Sequence, residues 1–351
     1  MSDPSKAKTC TDCASPLGWS LWTCWDKCDY PCEDDKCTAQ LCTTCHDKNP
    51  LFVVPDGKPS DDFSSATLKR FCKTCFQTKS AIDFSKTYET IEGDSGVIFV
   101  FAHGGAGSRA LFSAHAAELN KRFGHTAILW DLPGHASLVD TELSLDSCEE
   151  TLGNILKEKS ITSTTLRGSL PGIRKEKVIY VGGSLGAYIG FHLVEKFKDI
   201  FDGAILIDCG ENVGPGASFK ARMGLIMLAY LGRNFSNATL LKMMADVTKK
   251  SDADYKMLET IFGAGMFFDK AELQVECLRT VAPAEYIPKL NLPILFMNGS
   301  KDYRDSENKW LELCVDDKSE LKVYDGDHFF THYSNLVDDI LSRFDSFAKK
   351  L

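Results

Sequence analysis

Residues 178–190, VIYVGGSLGAYIG, change character within a single turn. The first half is a β-branched apolar run of the kind that forms a buried strand, and the second half has helical spacing. Between them stand Gly182, Gly183, Ser184, Leu185 and Gly186. A strand that passes straight into a helix lays that helix on a face of its sheet, and the next strand then runs parallel to the first. The stretch therefore predicts a parallel sheet with helices packed on it, and it sets one hydroxyl, that of Ser184, at its sharpest corner.

The same alternation recurs from about Gly96 to the end. VIFVFAH (97–103), TAILWDL (126–132), VIYVGG (178–183), GAILIDCG (203–210), PILFMNG (293–299) and LKVYDG (321–326) read as strands covered on both faces. Helical stretches follow Ser108 and Ser184, and another spans 334–350. TYETIEG (87–93) is a candidate edge strand. The expected fold class is α/β, with a mostly parallel sheet and a helical insertion.

A G-x-S-x-G turn between strand and helix suits a serine nucleophile, because the strained backbone projects Oγ away from the sheet. Side chains at Gly182 and Gly186 would collide with the neighbouring strand and helix. The helix that follows turns its positive end towards developing negative charge. Glycine-rich turns of this kind also bind phosphate, so the partners decide. A serine hydroxyl must lose its proton as it attacks, which calls for a histidine base held by a carboxylate. Asp302, in NGSKD after the penultimate strand, and His328, in DGDHFF after the last, supply both in the order Ser, Asp, His. Asp305 and Asp208 are the alternative carboxylates. In FAHGGAGS (101–108) the amide of Gly105 or Ala106, together with that of Leu185, is placed to donate to an oxyanion. His103 and His135 read as structural, and His115, His125, His192 and His332 as surface or core residues.

With HGG, DLPGH (131–135), GGSLGA, LPILFMNGSKD and GDHFF in this order, residues 96–351 resemble the α/β-hydrolase family. The resemblance implies a serine hydrolase with a cap over its active site. One departure is Ala136, where the family has glycine. The cap falls at about 211–290, in FKARMGLIMLAYL, ATLLKMMADV, ADYKMLETIF and KAELQVECLRTV, all helical in period. Met223, Met227, Met243, Met244, Met257, Met266, Phe267 and Phe268 concentrate there. They read either as ordinary cap packing or as an adaptable apolar pocket for an acyl chain.

The cysteines mark a second region. Ten of the fourteen lie within the first 75 residues, against single residues at 148, 209, 277 and 314. CTDC (Cys10, Cys13), CTTC (Cys42, Cys45) and CKTC (Cys72, Cys75) are CxxC knuckles, whose spacing lets two thiolates turn to one tetrahedral Zn²⁺. A boundary is expected between 79 and 92, giving a cysteine-rich unit over 1–85 and a hydrolase unit over 86–351. CEDDKCTAQLCTTC together with LKRFCKTCF resembles a FYVE-type zinc finger. That resemblance implies two structural zinc ions in a cross-brace, one on Cys10, Cys13, Cys42 and Cys45, the other on Cys32, Cys37, Cys72 and Cys75. Cys24 or Cys28 is an alternative ligand. The acidic CDYPCEDDKC stands where phosphoinositide-binding members are basic, which argues against that headgroup. Trp19, Trp22 and Trp25 read either as the core of this small unit or as a membrane-inserting loop.

A formal charge of −9 argues against nucleic acid as the main partner. No apolar leader opens the chain, and its longest apolar run falls short of the roughly 20 residues that span a bilayer. The expectation is a cytoplasmic enzyme without a catalytic cofactor that cleaves a small-molecule or lipid ester or thioester. Its zinc unit would make a peripheral contact with an endomembrane or a protein. The competing readings are a docking module built around the zinc unit, and amide or carbon–carbon hydrolysis with the same three residues.

Overall fold

The computed structural model describes residues 9–12, 30–53, 66–161, 176–248, 254–302 and 306–351. Cys13, Cys24, Cys28, the three tryptophans 19, 22 and 25, and Asp305 lie outside them.

The cysteine-rich region begins with two short antiparallel ribbons. Strand β1 (Tyr30–Pro31) pairs with β2 (Gln40–Leu41), and β3 (Pro50–Val53) pairs with β4 (Thr67–Arg70). Helix α1 (Thr43–Lys48) starts directly after Cys42 and carries Cys45. Helix α2 (Lys73–Lys79) starts directly after Cys72 and carries Cys75. Each CxxC thus straddles a helix start, and its two sulfurs share one side of the first turn.

The larger sheet contains β5 (Tyr88–Ile91), β6 (Val97–Ala102), β7 (Thr126–Trp130), β8 (Lys177–Gly183), β9 (Gly203–Ile207), β10 (Ile294–Gly299) and β11 (Glu320–Tyr324). Their order across the sheet is β11-β10-β9-β8-β6-β7-β5. All neighbours are parallel except β5, which runs antiparallel to β7 at the edge. The edge strand is the one expected in TYETIEG.

Alternation along the strands divides the core into two layers. Val100, Ile128, Val178, Tyr180, Leu206 and Phe296 point to one face, where they meet α4 (Leu145–Glu158) and α5 (Leu185–Lys196). Phe99, Phe101, Ile179, Val181, Ile205 and Met297 point to the other, against α3 (Ser113–Phe123) and α12 (Val337–Lys350). Because both faces are covered, the inner strands β6 to β10 are largely apolar, whereas the edge strands β5 and β11 carry Glu89, Glu320 and Lys322. Between β9 and β10 the chain forms α6 (Phe219–Asn234), α7 (Asn237–Thr248), α8 (Tyr255–Gly263), α9 (Ala271–Thr280) and α10 (Pro283–Tyr286), with no strand among the described residues. Helix α11 (Glu307–Leu313) connects β10 to β11.

Packing crosses the expected boundary. Leu41, Leu51, Phe71, Phe76 and Ile82 share one buried cluster with Ala110, Ala136, Ala264 and Phe267. The connecting segment is clamped by Arg109, which donates to the carbonyls of Asp83 and Lys86 and pairs with the buried carboxylate of Asp131. No helix of the described residues is long and apolar enough to cross a membrane.

Candidate active site

Ser184 is held at φ 48°, ψ −112°, between the end of β8 and the first residue of α5. A non-glycine residue there is strained by about 1–3 kcal/mol, a cost the surrounding packing must offset. The flanking glycines allow it. A Cβ on Gly182 would sit 2.5 Å from the carbonyl oxygen of Gly186, and one on Gly186 would sit 2.4 Å from that of Ala102. The amide of Ser184 donates to the carbonyl of Ile207 across the β8–β9 pair, at 2.8 Å.

His328 follows β11 and Asp302 follows β10. The Nδ1 of His328 donates to Oδ2 of Asp302 at 2.6 Å, which leaves Nε2 for the cavity. Asp208, the residue after β9, joins them: one carboxylate oxygen of each aspartate and a ring nitrogen of His328 lie within 4.8 Å of one another. Asp208 has φ 55°, and its Oδ1 is buried with no hydrogen-bond partner among the described residues. Burial drives its carboxyl pKa well above the usual range, and an imidazolium at His328 pulls the other way. Of the histidines with a displaced pKa, His328 alone moves upwards. Burial works against its charge, but the carboxylates of Asp208 and then Asp302 outweigh this and push it to about 9. Asp305 lies outside the described residues.

Gly105 and Ala106 form the turn after β6, and Leu185 opens α5, where an amide has no acceptor within the helix. Ala106 is at φ 57°. Gly105 faces a cap residue closely: a Cβ there would stand 2.6 Å from Oε1 of Gln274. The amide of Gln274 donates to Nε2 of His135, whose Nδ1 donates to the carbonyl of Pro133. Nδ1 of His103 donates to the carbonyl of Gly104, and its Nε2 accepts from the amide of Leu132. Burial holds His103 and His135 near 4 and 3, so both stay neutral while they brace the turn. Ala136 is itself at φ 43°, a backbone conformation that glycine adopts more readily.

These groups border one cavity of about 250 Å³, lined by Gly105, Ala106, Ser184, Asp208, Gln274 and His328 at its polar end. The remainder is apolar, formed by Leu228, Met244, Leu258, Ile261, Phe262 and Met266 with neighbours such as Phe268. The methionine-rich cap is therefore divided. Met244, Met266 and Phe268 face the cavity, Met257 and Phe267 are buried elsewhere, and Met223, Met227 and Met243 stand at the surface. Gln274 escaped sequence reasoning. Its one signal was a polar residue on the apolar face Ala271, Val275, Leu278 of α9, at positions i, i+3, i+4 and i+7.

Among the cysteines, the sulfurs of Cys32, Cys37, Cys72 and Cys75 lie mutually within 4.8 Å, and those of Cys10, Cys42 and Cys45 do likewise. Cys13 is outside the described residues.

Residues 99–338 match a family model described as the alpha/beta hydrolase family. Among solved structures, an esterase from Exiguobacterium antarcticum superposes with a TM-score of 0.58 at 13% identity, over 75% of this chain and 94% of that one. A thermophilic esterase from Thermogutta terrifontis gives 0.56 at 16%, over 75% and 92%. MenH from S. aureus gives 0.57 at 15%, over 76% and 98%. At these identities the likeness is one of fold. No curated protein matches the chain.

Proposed function

The chain belongs to the alpha/beta hydrolase family, and from that premise we propose that it cleaves a carboxylic ester or thioester through an acyl-enzyme on Ser184. In this reading His328 Nε2 takes the hydroxyl proton as Oγ attacks the carbonyl carbon. Asp302 holds the ring in that tautomer through Nδ1. The amides of Leu185 and of Gly105 or Ala106 donate to the oxyanion. Collapse of the tetrahedral species breaks the carbon–oxygen or carbon–sulfur bond, and the leaving group departs with the proton from His328. Water then repeats the sequence and frees the acid.

The observation that carries this reading is the 2.6 Å His328–Asp302 bond on the wall of the cavity that Ser184 borders. The apolar remainder of that cavity favours an acyl or alkyl chain. Hydrolysis of a p-nitrophenyl ester series from acetyl to palmitoyl, with Ser184→Ala as the blank, tests it. A serine-dependent rate with a maximum beyond acetyl is expected. The loss in Ser184→Ala should approach the 10⁶-fold seen when a comparable serine is removed. A loss below tenfold defeats the assignment.

We further propose that residues 1–85 form a unit held by two structural zinc ions, one on Cys32, Cys37, Cys72 and Cys75, the other on Cys10, Cys13, Cys42 and Cys45. The donor chemistry fits. Zn–S bonds of about 2.3 Å in a tetrahedron separate sulfurs by about 3.8 Å, and Cys37 and Cys72 stand 3.9 Å apart. A disulfide would bring them to about 2.05 Å. Zinc here would close its ligand shell and stabilise the fold. Elemental analysis of the purified full chain should find two zinc ions, and none would defeat the reading.

A further inference from the structure

The cap carries a surface that the ester chemistry does not use. Among the described residues, nine large apolar side chains are 42% to 80% exposed, and eight of them lie between Phe219 and Val247. On α6 they are Phe219, Met223, Ile226, Met227 and Tyr230. At 3.6 residues per turn these fall within roughly 100° of the helix circumference. Leu225 and Leu228, on the opposite side, face the protein, and Leu228 borders the cavity itself. Helix α7 repeats the division, with Met243 and Val247 exposed and Met244 in the cavity wall.

Charge says what this surface fits. The whole chain carries −9, yet residues 219–248 contain Lys220, Arg222, Arg233 and Lys242 against Asp246 alone. On α6, Lys220 flanks one side of the apolar stripe, and Arg222 and Arg233 flank the other. Arg233 also meets Glu272 of α9, and Glu276 and Arg279 of that helix stand beside Ile226 and Tyr230, so the bases still outnumber the acids around the stripe. A second copy placed symmetrically on this face would set like charges against each other. An apolar stripe bordered by bases, with a tyrosine and long flexible methionines, suits the boundary between headgroups and acyl chains of an anionic membrane.

We propose that α6, with the exposed edge of α7, is a docking surface for a lipid surface bearing anionic headgroups. The same two helices wall the cavity, so a docked enzyme holds the apolar end of its site against the membrane. This contact belongs to the cap and not to the cysteine-rich region, and it can be read without any catalytic measurement.

The test is cosedimentation of the full chain with vesicles of phosphatidylcholine alone and of phosphatidylcholine with phosphatidylserine, at low and high salt. Binding to the phosphatidylserine vesicles is expected, weakened by salt. Ile226→Glu/Met227→Glu and Lys220→Glu/Arg222→Glu should each reduce the partition on the order of tenfold or more. Because all four residues are exposed, the unfolding temperature of both variants should match that of the parent. Three results would overturn the proposal: no parent binding to either vesicle, undiminished binding by the apolar variant, or a parent dimer in lipid-free sedimentation velocity that the apolar variant splits. The last would assign the face to a second copy.

Discussion

The amide of Phe267 donates to the carbonyl of Ala106 over 2.8 Å. The bond ties the segment before α9 to the turn proposed to hold the oxyanion, and the cysteine-rich region stands behind that segment. The ring of Phe76, on α2, meets Phe267 edge to face at 6.4 Å between centroids. Ser80 Oγ donates to the carbonyl of Ala264, and the amide of Ala81 donates to that of Gly263. Phe76 also lies so near Gly265 that a Cβ there would stand 2.5 Å from the ring.

Loss of order in α2 should therefore reach the candidate active site. Cys72→Ser, or exhaustive chelation of the full chain, is expected to lower kcat on the order of 10–100-fold through misplacement of the Ala106 turn. It should also lower the unfolding temperature. Esterase kinetics and thermal unfolding on the same samples check this. Unchanged kcat with a lowered transition would show that the cysteine-rich region stabilises the fold without positioning the turn.

The pH profile should carry the mark of two carboxylates. In the proposed mechanism only neutral His328 can take the proton from Ser184, so kcat/KM should fall as pH drops through the pKa of this histidine. Asp208 and Asp302 push that value upwards, towards about 9, from the usual 6.5 or so. Asp208→Asn removes the larger upward influence, so the acid limb should move to lower pH. A limb that stays in place would mean that Asp208 remains protonated across the range and places no charge on His328.

Arg109 and Asp131 form an ion pair whose side chains are 1% and 0% exposed. Arg109→Met would strand the carboxylate, and breaking one partner of a buried pair typically costs about 3–5 kcal/mol. Urea unfolding should show a loss of this size. A loss below about 1 kcal/mol, the scale of a surface pair, would contradict the burial.

Chain-length selectivity should follow the cavity wall. Met244→Trp fills the apolar end, so the optimum of the ester series should shift to shorter acyl groups, with hydrolysis of the acetyl ester changed by less than threefold. The measurement is kcat/KM across the series. A uniform loss at every length would place the acyl chain elsewhere.

Much of this molecule was legible because its signals are local. The apolar runs 97–103, 178–183, 203–210 and 293–299 read as strands covered on both faces because each is short, β-branched and closed by glycine or polar residues. The corner at Ser184 is dictated within five residues, since Gly182 and Gly186 are where backbone approaches backbone. Asp302 and His328 could be singled out because each follows a strand of a parallel sheet, and such strands end along one common edge. The grouping of sulfurs on α1 and α2 follows from the spacing within each CxxC.

Other features depend on which distant surfaces meet. The convergence of Asp208 on His328 depends on β9 and β10 being neighbours, with β11 beyond. Gln274 reaches Gly105 only because α9 folds back over the sheet. Met244 faces the cavity and Met243 the solvent although they adjoin in sequence, because a helix turns successive residues about 100° apart and the docked cap determines which direction is inward. The shared core of Phe76 and Phe267 joins residues that belong to separate regions of the chain. Periodicity and short motifs report what a segment can form, whereas the environment of a side chain is set by packing between segments remote in sequence, and only the assembled tertiary structure decides that.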